Sequence, residues 1–271
     1  MYKRQGFAGA ELANICNEAA LIAARKDKQK IEMADFQYAI DRVIGGLEKK
    51  NKIISPQEKE IVAYHEAGHA VAGWFLEHAH PLVKVSIVPR GVATLGYAQY
   101  LPKEQFLYQT EQLLDELCMA LGGRAAEELI FGKISTGALS DLERVTRMAY
   151  NMVGVYGMNP KIGNVSFHDP QQKEYNFTKP YSEATAKTID EEVRALIERV
   201  YIRTKALLQT KKEALETVAK ALLSKEVIFQ GDLEQMIGKR PHSQAQQELD
   251  AYPSAHTEEE SDTITATHDK G

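Results

Sequence analysis

The stretch His65-Glu66-Ala67-Gly68-His69 decides the fold, because it places two imidazoles and a carboxylate on one helical turn. Side chains at positions i and i+4 of a helix project from the same face. Histidines with this spacing can bind one Zn²⁺ through their ring nitrogens. The carboxylate of Glu66 then lies beside an open metal position, where it can accept a proton from an attacking water. This HExxH pattern on a helix is typical of zinc peptidases.

The flanking sequence predicts a helix around the motif. Ser55-Pro56-Gln57-Glu58 forms a capping box with proline at the first helical position, and no helix breaker follows until about His78-Ala79-His80-Pro81. Gly68 and Gly73 each cost such a helix about 0.8–1 kcal/mol relative to alanine. We therefore expect another backbone or a substrate to approach closely at these glycines.

A catalytic zinc needs a third protein ligand, and a histidine is disfavoured here. The extended pattern HExxHxxGxxH is excluded, because its glycine and third histidine are replaced by Ala72 and Phe75. His78 and His80 lie beyond the next turns of the helix and reach the same metal only if the chain reverses. His168 lies in a polar stretch and is a weak candidate.

Carboxylates are therefore the favoured third ligands. Glu127 and Glu128 lie in an amphipathic helix predicted from about Glu111 to Ile130. Asp141 follows Ser140, which predicts a second capping box at the start of another helix, and an acidic residue there also suits the helix dipole. The local pattern leaves Glu128 and Asp141 open as alternatives.

Six motifs follow one another along the chain, and the first of them contains the histidine pair. They are the segments 64–73, 85–91 (Val-Ser-Ile-Val-Pro-Arg-Gly), 95–97 (Leu-Gly-Tyr), 121–128 (Leu-Gly-Gly-Arg-Ala-Ala-Glu-Glu), 135–142 (Ser-Thr-Gly-Ala-Leu-Ser-Asp-Leu) and 155–158 (Val-Tyr-Gly-Met). Together they resemble the peptidase domain of the FtsH family, the membrane-anchored AAA+ zinc metalloproteases of bacteria, mitochondria and chloroplasts. The likeness extends from Gly6 to about Pro241. The resemblance implies that each chain binds one zinc through His65, His69 and Asp141. The aspartate is implied because it follows a Thr-Gly-Ala segment, and Glu66 is implied as the catalytic residue.

The first forty-odd residues predict a helical hairpin. Its first helix carries one apolar face, formed by Leu12, Ile15, Ala19 and Ile22. By resemblance, the hairpin is the end of an AAA+ small helical subdomain, the lid, whose Gly9-Ala10 region would approach a nucleotide. No G-x-x-x-x-G-K-S/T phosphate loop occurs in the sequence. We therefore expect that the chain cannot hydrolyse ATP by itself and is the carboxyl-terminal part of a longer, ATP-dependent protease.

The composition suits a soluble, mostly helical chain with more than one unit. The 271 residues are 44% hydrophobic and 26% charged, and the formal net charge of -5 argues against nucleic acid as a partner. Cys16 and Cys118 occupy apolar helical positions without a paired spacing, which predicts structural thiols in a reducing compartment. No run of eighteen apolar residues and no secretory signal occur. Only the resemblance implies membrane association, because family members carry their membrane helices before the ATPase domain. It also implies that the peptidase domain lies on the cytoplasmic, matrix or stromal side.

Two strands are predicted after the motif helix, over residues 82–89 and 96–101. An extended peptide can add to an exposed sheet edge through main-chain hydrogen bonds, which suits an enzyme that cuts many sequences. Strands that merely cover the helix are an equal alternative. In the first interpretation, the substrate strand consists of Leu95, Gly96, Tyr97 and Ala98.

The rest of the chain predicts scaffold and tail. A long helix begins at Pro180-Tyr181-Ser182, a partner helix covers about residues 211–223, and the polar stretch 168–179 forms a mobile loop. Beyond Pro241 too little apolar surface remains to offset the entropy of ordering, so we expect disorder. The predicted domains are the lid remnant at 1–47, the peptidase domain at 48–241 and the polar, acidic tail at 242–271.

The sequence thus predicts a mainly α fold, a helical zinc-peptidase domain with a small β-sheet that is preceded by AAA+ lid helices. The predicted function is endoproteolysis of unfolded or membrane-extracted proteins, in a hexameric ring if the family pattern holds. Two alternatives are a non-catalytic oligomerisation module whose zinc is structural or absent, and a metal hydrolase that acts on small amides. Glu66 argues against the module, because a scaffold needs no carboxylate beside its ligands.

Overall fold

The helix that carries the histidine pair begins at the predicted capping box. In this computed structural model, α3 spans Pro56–Phe75, and the Ser55 hydroxyl accepts the N–H of Glu58 at 3.2 Å. The helix ends at Phe75, slightly earlier than predicted, because Leu76 is already extended. Every residue from Ala63 to Trp74 is buried. A helix buried on all sides forms the centre of a domain.

The structure describes residues 8–46, 55–89, 95–101, 105–167 and 180–242. The predicted loop 168–179, with His168, and the predicted disordered tail from 243 onward lie outside the described residues. Within the described ranges the fold is mainly α with a small sheet, as the sequence predicts. Its elements are α1 (Gly9–Arg25), α2 (Met33–Gly45), α3, β1 (Leu82–Ser86), β2 (Tyr97–Tyr100), α4 (Thr110–Phe131), α5 (Leu139–Gly154), α6 (Glu183–Thr210), α7 (Lys212–Lys225), β3 (Val227–Phe229) and α8 (Gln230–Ile237).

The sheet is antiparallel and has the order β2-β1-β3. At its centre, Val85 lies opposite Ala98 of β2 and Ile228 of β3. The third strand was not predicted, because three residues are too few to show an alternating pattern. As a result, β1 is a central strand, whereas β2 forms an edge of the described sheet.

The described residues form two separate hydrophobic cores. The larger core lies between α3, α4, the outer helices and the sheet, and its buried side chains include Trp74, Leu117, Leu208 and Ile228. The smaller core lies within the α1–α2 hairpin, where Ile15, Ala19 and Ala39 are buried and Ile22, Phe36, Ile40 and Val43 pack against them. Each unit therefore buries its own apolar surface.

The two cysteines lie in different environments. Cys118 of α4 is buried, in keeping with a structural thiol, but Cys16 of α1 is exposed, so the prediction of a structural thiol there is wrong. The buried stripe of α1 passes through Ile15 and Ala19, and Cys16 lies just outside it. No helix in the described part of the chain combines the length and apolar character that crossing a membrane requires.

Candidate metal centre and active site

The structure brings His65, His69 and Asp141 together. The two histidine Nε2 atoms are 3.1 Å apart, and Asp141 Oδ2 lies 3.3 Å from the first and 3.4 Å from the second. The spacing on α3 aligns the imidazoles, and the first turn of α5 supplies the carboxylate. These three atoms form a group that could hold one metal ion.

The hydrogen bonds of the two rings indicate what this group fits. His69 Nδ1 lies 2.8 Å from the carbonyl oxygen of Met119, and His65 Nδ1 lies 2.6 Å from Glu127 Oε1. A carbonyl oxygen only accepts hydrogen bonds, so Nδ1 of His69 carries the hydrogen, and we assign the same tautomer to His65. When both rings are neutral, as metal binding requires, the two Nε2 lone pairs point toward each other and toward an anionic oxygen. A cation stabilises such an arrangement, and two imidazoles with a carboxylate suit Zn²⁺.

Glu127 contacts the Nδ1 side of His65 and is not part of the three-atom group. Its carboxylate is buried and accepts two further hydrogen bonds, from the main-chain N–H of Ser135 at 2.6 Å and from the Ser135 hydroxyl at 3.0 Å. A carboxylate on the second ring nitrogen fixes the tautomer and direction of a metal-binding histidine. The sequence presented Glu127 only as a possible ligand, because the contact depends on how α3 crosses α4.

Asp141 reaches the histidines through a short turn before α5. The Ser135 hydroxyl accepts the N–H of Gly137 at 3.2 Å and starts a 3-10 turn over Thr136–Ala138. The capping box predicted at Ser140 is not formed, because α5 begins two residues earlier, with Ala138 as its N-cap. Asp141 still lies in the first turn, where the helix dipole favours a negative charge.

Electrostatics in the group reflect burial and mutual hydrogen bonding. Burial lowers the pKa of His65, but its hydrogen bonds to Asp141 and Glu127 outweigh that effect and raise the pKa to about 10. Burial raises the pKa of Asp141, yet the hydrogen bonds to both histidines hold that pKa well below its usual range. Burial also raises the pKa of Glu66, partly opposed by the two imidazoles. The site therefore concentrates carboxylates that a bound cation would neutralise.

Glycines allow α3 and α4 to meet at this site. A Cβ on Gly122 would lie 2.6 Å from the carbonyl oxygen of Gly68, and a Cβ on Gly123 would overlap the imidazole of His65. The predicted close approach of a backbone is thus confirmed at Gly68. At Gly73 the neighbours are side chains, with Tyr100 Cε1 3.2 Å from an added Cβ.

The predicted catalytic carboxylate lies against the start of the edge strand. A Cβ on Gly96 would be 2.7 Å from Glu66 Oε1, so any larger residue at this position would require the carboxylate to shift. Leu95 and Gly96 immediately precede β2, and Tyr97 and Ala98 lie within it. Tyr100, which sequence reasoning missed, donates its hydroxyl hydrogen to the carbonyl oxygen of His69 at 3.1 Å and joins β2 to α3.

The other candidate ligands lie elsewhere. Glu128 accepts hydrogen bonds from the Tyr201 hydroxyl and from Lys205 Nζ, the latter at 3.0 Å. His80 Nε2 lies 3.4 Å from Glu116, and the main-chain N–H of His78 donates to Asp115 at 3.0 Å. The contacts of His78 and His80 hold the α3–β1 connection on α4, whereas those of Glu128 join α4 to α6.

Comparison with known proteins gives two family matches. Peptidase family M41 matches residues 52–236, and the AAA+ lid domain matches residues 4–38.

Three relatives illustrate the similarity. The ATP-dependent zinc metalloprotease FtsH of Rhodothermus marinus is 62% identical over 239 residues, which cover 88% of this chain and 34% of the relative. The mitochondrial inner membrane m-AAA protease component AFG3L2 of Mus musculus is 59% identical over 88% of this chain and 30% of its own length. The mitochondrial ATP-dependent zinc metalloprotease FTSH 3 of Arabidopsis thaliana is 55% identical over 95% of this chain and 32% of its own length. The chain therefore spans about a third of the length of these curated relatives.

Proposed function

The chain belongs to peptidase family M41, and from this membership we propose that it is a zinc-dependent endopeptidase that hydrolyses unfolded polypeptides. One observation carries the proposal. Three atoms lie within 4.8 Å of one another: His65 Nε2, His69 Nε2 and Asp141 Oδ2. The buried carboxylate of Glu66 lies on α3, the helix that carries both histidines.

His65, His69 and Asp141 would hold the zinc. Glu127 and the carbonyl of Met119 direct the two imidazoles, so that the metal-binding nitrogens are in place before the ion arrives. The chemistry that zinc supplies in such a site is polarisation of the scissile carbonyl and acidification of a water molecule.

The chain's own residues move the proton and position the peptide. Glu66 accepts the proton of the attacking water and passes it to the leaving amine, as a general base and then a general acid. The edge of β2 binds the substrate as an added extended strand through main-chain hydrogen bonds, with Leu95, Gly96, Tyr97 and Ala98 next to the scissile bond. The contact between Gly96 and Glu66 supports this placement.

The larger assembly is part of the same proposal. The separate hairpin core and the lid match support a division into a lid remnant at 1–47, a peptidase domain at 48–241 and a tail at 242–271. The names of the relatives include ATP dependence and, for the mouse protein, the mitochondrial inner membrane. We extend both to the protein that contains this chain, together with a hexameric ring that delivers unfolded or membrane-extracted proteins to the site.

The test is cleavage of an unfolded, dye-quenched casein by the purified chain, with bound zinc quantified. We expect wild type and Glu66→Gln to bind about one zinc per chain, because Glu66 is not among the three ligands. The variant should lose at least about a hundredfold in rate, since general acid–base catalysis contributes about 10²–10⁴-fold.

Glu60→Gln is the matched control, because Glu60 lies on the same helix but is exposed. It should cleave like the wild type. Zinc binding with equal cleavage by wild type and Glu66→Gln would refute the assigned base. Zinc binding without cleavage by any of the three proteins would leave two interpretations, a structural zinc or a peptidase that needs its ATPase ring. Cleavage by a longer chain that includes the ATPase domain would favour the second, and its failure to cleave would favour the non-catalytic module.

A further inference from the structure

A bulge in β1 places Leu82 and Lys84 on opposite faces of the sheet. Leu82 lies opposite Tyr100, but Lys84 lies opposite Gln99, so one extra residue is inserted between them. Residues directly opposite on antiparallel strands share a face, and a bulge re-aims the side chains that follow it. Leu82 and Tyr100 thus face α3, where the Tyr100 hydroxyl bonds to the carbonyl of His69. Lys84 and Gln99 lie on the opposite face.

Lys84 is a buried cation on this opposite face, and its counter-ion comes from the hairpin. Its ammonium forms an ion pair with Asp41 of α2, and the two side chains are 7% and 15% exposed. Breaking a buried ion pair by removing one partner is strongly unfavourable, because the other charge stays desolvated. Since the hairpin and the peptidase unit have separate cores, this ion pair ties one unit to the other.

The same ammonium contacts the edge strand. Lys84 Nζ lies 5.7 Å from the ring centroid of Tyr97, within the range of a cation–π interaction. Tyr97 is the first residue of β2 and follows Gly96, which lies against Glu66. A line of contacts thus runs from Asp41 through Lys84 and Tyr97 to the catalytic carboxylate.

We propose that Asp41 and Lys84 are positioning residues that couple the α1–α2 hairpin to the edge strand β2. A displacement of α2 breaks the Lys84–Asp41 ion pair, changes the contact of Lys84 with Tyr97 and releases the edge that receives the peptide. The hairpin thereby regulates substrate binding without touching the metal. This inference rests on the proposed function where it assigns β2 to the substrate, whereas the coupling itself is a property of the fold.

Hydrogen exchange of the full chain, followed by mass spectrometry, tests the coupling without activity. In Asp41→Asn we expect the amides of β2 to exchange several-fold faster, while those of α6 keep their wild-type rates. The matched control is Glu18→Gln, which removes an ion pair of 3.0 Å with Arg42 inside the hairpin and should leave β2 unchanged. Unchanged exchange in β2, or equally faster exchange in every element, would overturn the proposal.

A charge exchange and a kinetic measurement complete the experiment. The double variant Asp41→Lys with Lys84→Asp should restore slow exchange in β2, and failure to restore it would count against a specific pair. With casein, Asp41→Asn should raise KM several-fold and keep kcat and bound zinc near wild-type values, because only peptide binding is affected. An equal loss of kcat and zinc would mean a merely structural role. If Asp41→Asn shows faster exchange in β2 but the wild-type chain cleaves no casein, the coupling still holds and the proposed function is removed.

Discussion

The α3–α4 pair and the α1–α2 hairpin are both pairs of packed helices, but different contacts hold them together. In the first pair the backbones of Gly68 and Gly122 touch, and the surrounding side chains are buried. In the hairpin a narrow apolar stripe through Ile15 and Ala39 is bordered by ion pairs such as Arg42–Glu18. Direct backbone contact leaves no room for adjustment, which suits a helix that would hold the two nitrogens of the proposed metal site in place. The stripe and its ion pairs suit a unit whose position can change.

The strongest test of this contrast is Gly122→Ala. The new Cβ would lie 2.6 Å from the carbonyl oxygen of Gly68, so the two helices must separate. Overpacking a core typically costs about 1–3 kcal/mol, and we expect at least the upper value because the clash is with backbone. Urea unfolding monitored by Trp74, the single tryptophan and 2% exposed, measures the loss.

Gly9→Ala in the hairpin is the matched control for this variant. A Cβ at Gly9 meets nothing within 4 Å, so the hairpin should keep its stability or gain up to about 1 kcal/mol, and the transition reported by Trp74 should not move. An unfolding midpoint of Gly122→Ala equal to wild type would show that α3 and α4 are no more rigidly joined than the hairpin.

The second test asks whether the α3–α4 contact directs the metal site. Glu127→Gln removes the anionic acceptor from His65 Nδ1, and loss of such a partner typically lowers metal affinity by about 10–100-fold. Zinc affinity is measured by competition with a chromogenic chelator. Glu128→Gln is the neighbouring control and should keep wild-type affinity, because Glu128 binds Tyr201 and Lys205. Equal losses in the two variants would mean that zinc affinity depends on the nearby negative charge as such and not on the orientation of His65.

The smallest effect concerns the helix caps, which differ between the two units. The Ser55 hydroxyl caps α3, whereas Ala8 at the start of α1 has no side-chain acceptor. Ser55→Ala should lower the free energy of unfolding by about 1 kcal/mol, as Trp74 fluorescence would report. Ala8→Ser should stabilise α1 by a similar amount, seen as slower amide exchange in that helix. A gain in α1 that also slows exchange in α3 would contradict the independence of the two cores.

Features set by neighbouring residues were predictable from the sequence, and features set by distant contacts were not. The start of α3 follows from Ser55 and Pro56, and the i, i+4 spacing alone places His65 above His69. Local pattern left the third metal-binding atom open between Glu128 and Asp141, and the family resemblance favoured Asp141, which the structure brings to both histidines.

The errors and omissions have related causes. A capping box was expected at Ser140, but the tertiary contacts of the preceding turn start α5 earlier. The role of Glu127 and the existence of β3 depend on segments that are far apart in the chain. The exposure of Cys16 depends on which side of α1 meets α2.

The pairing of β1 with β3 also determines when the sheet beside the candidate site can be completed during synthesis. Val85 needs Ile228 as its neighbour, and the end of α3 needs a partner still further along, since the Trp74 indole donates to the carbonyl of Gly238 at 3.2 Å. At roughly 5–20 residues per second, these partners leave the ribosome on the order of ten seconds after the histidine pair. A nascent chain therefore carries its metal-binding histidines before it has a finished sheet beside them. Completion of the sheet that would receive a peptide is thus a late step in building the proposed site.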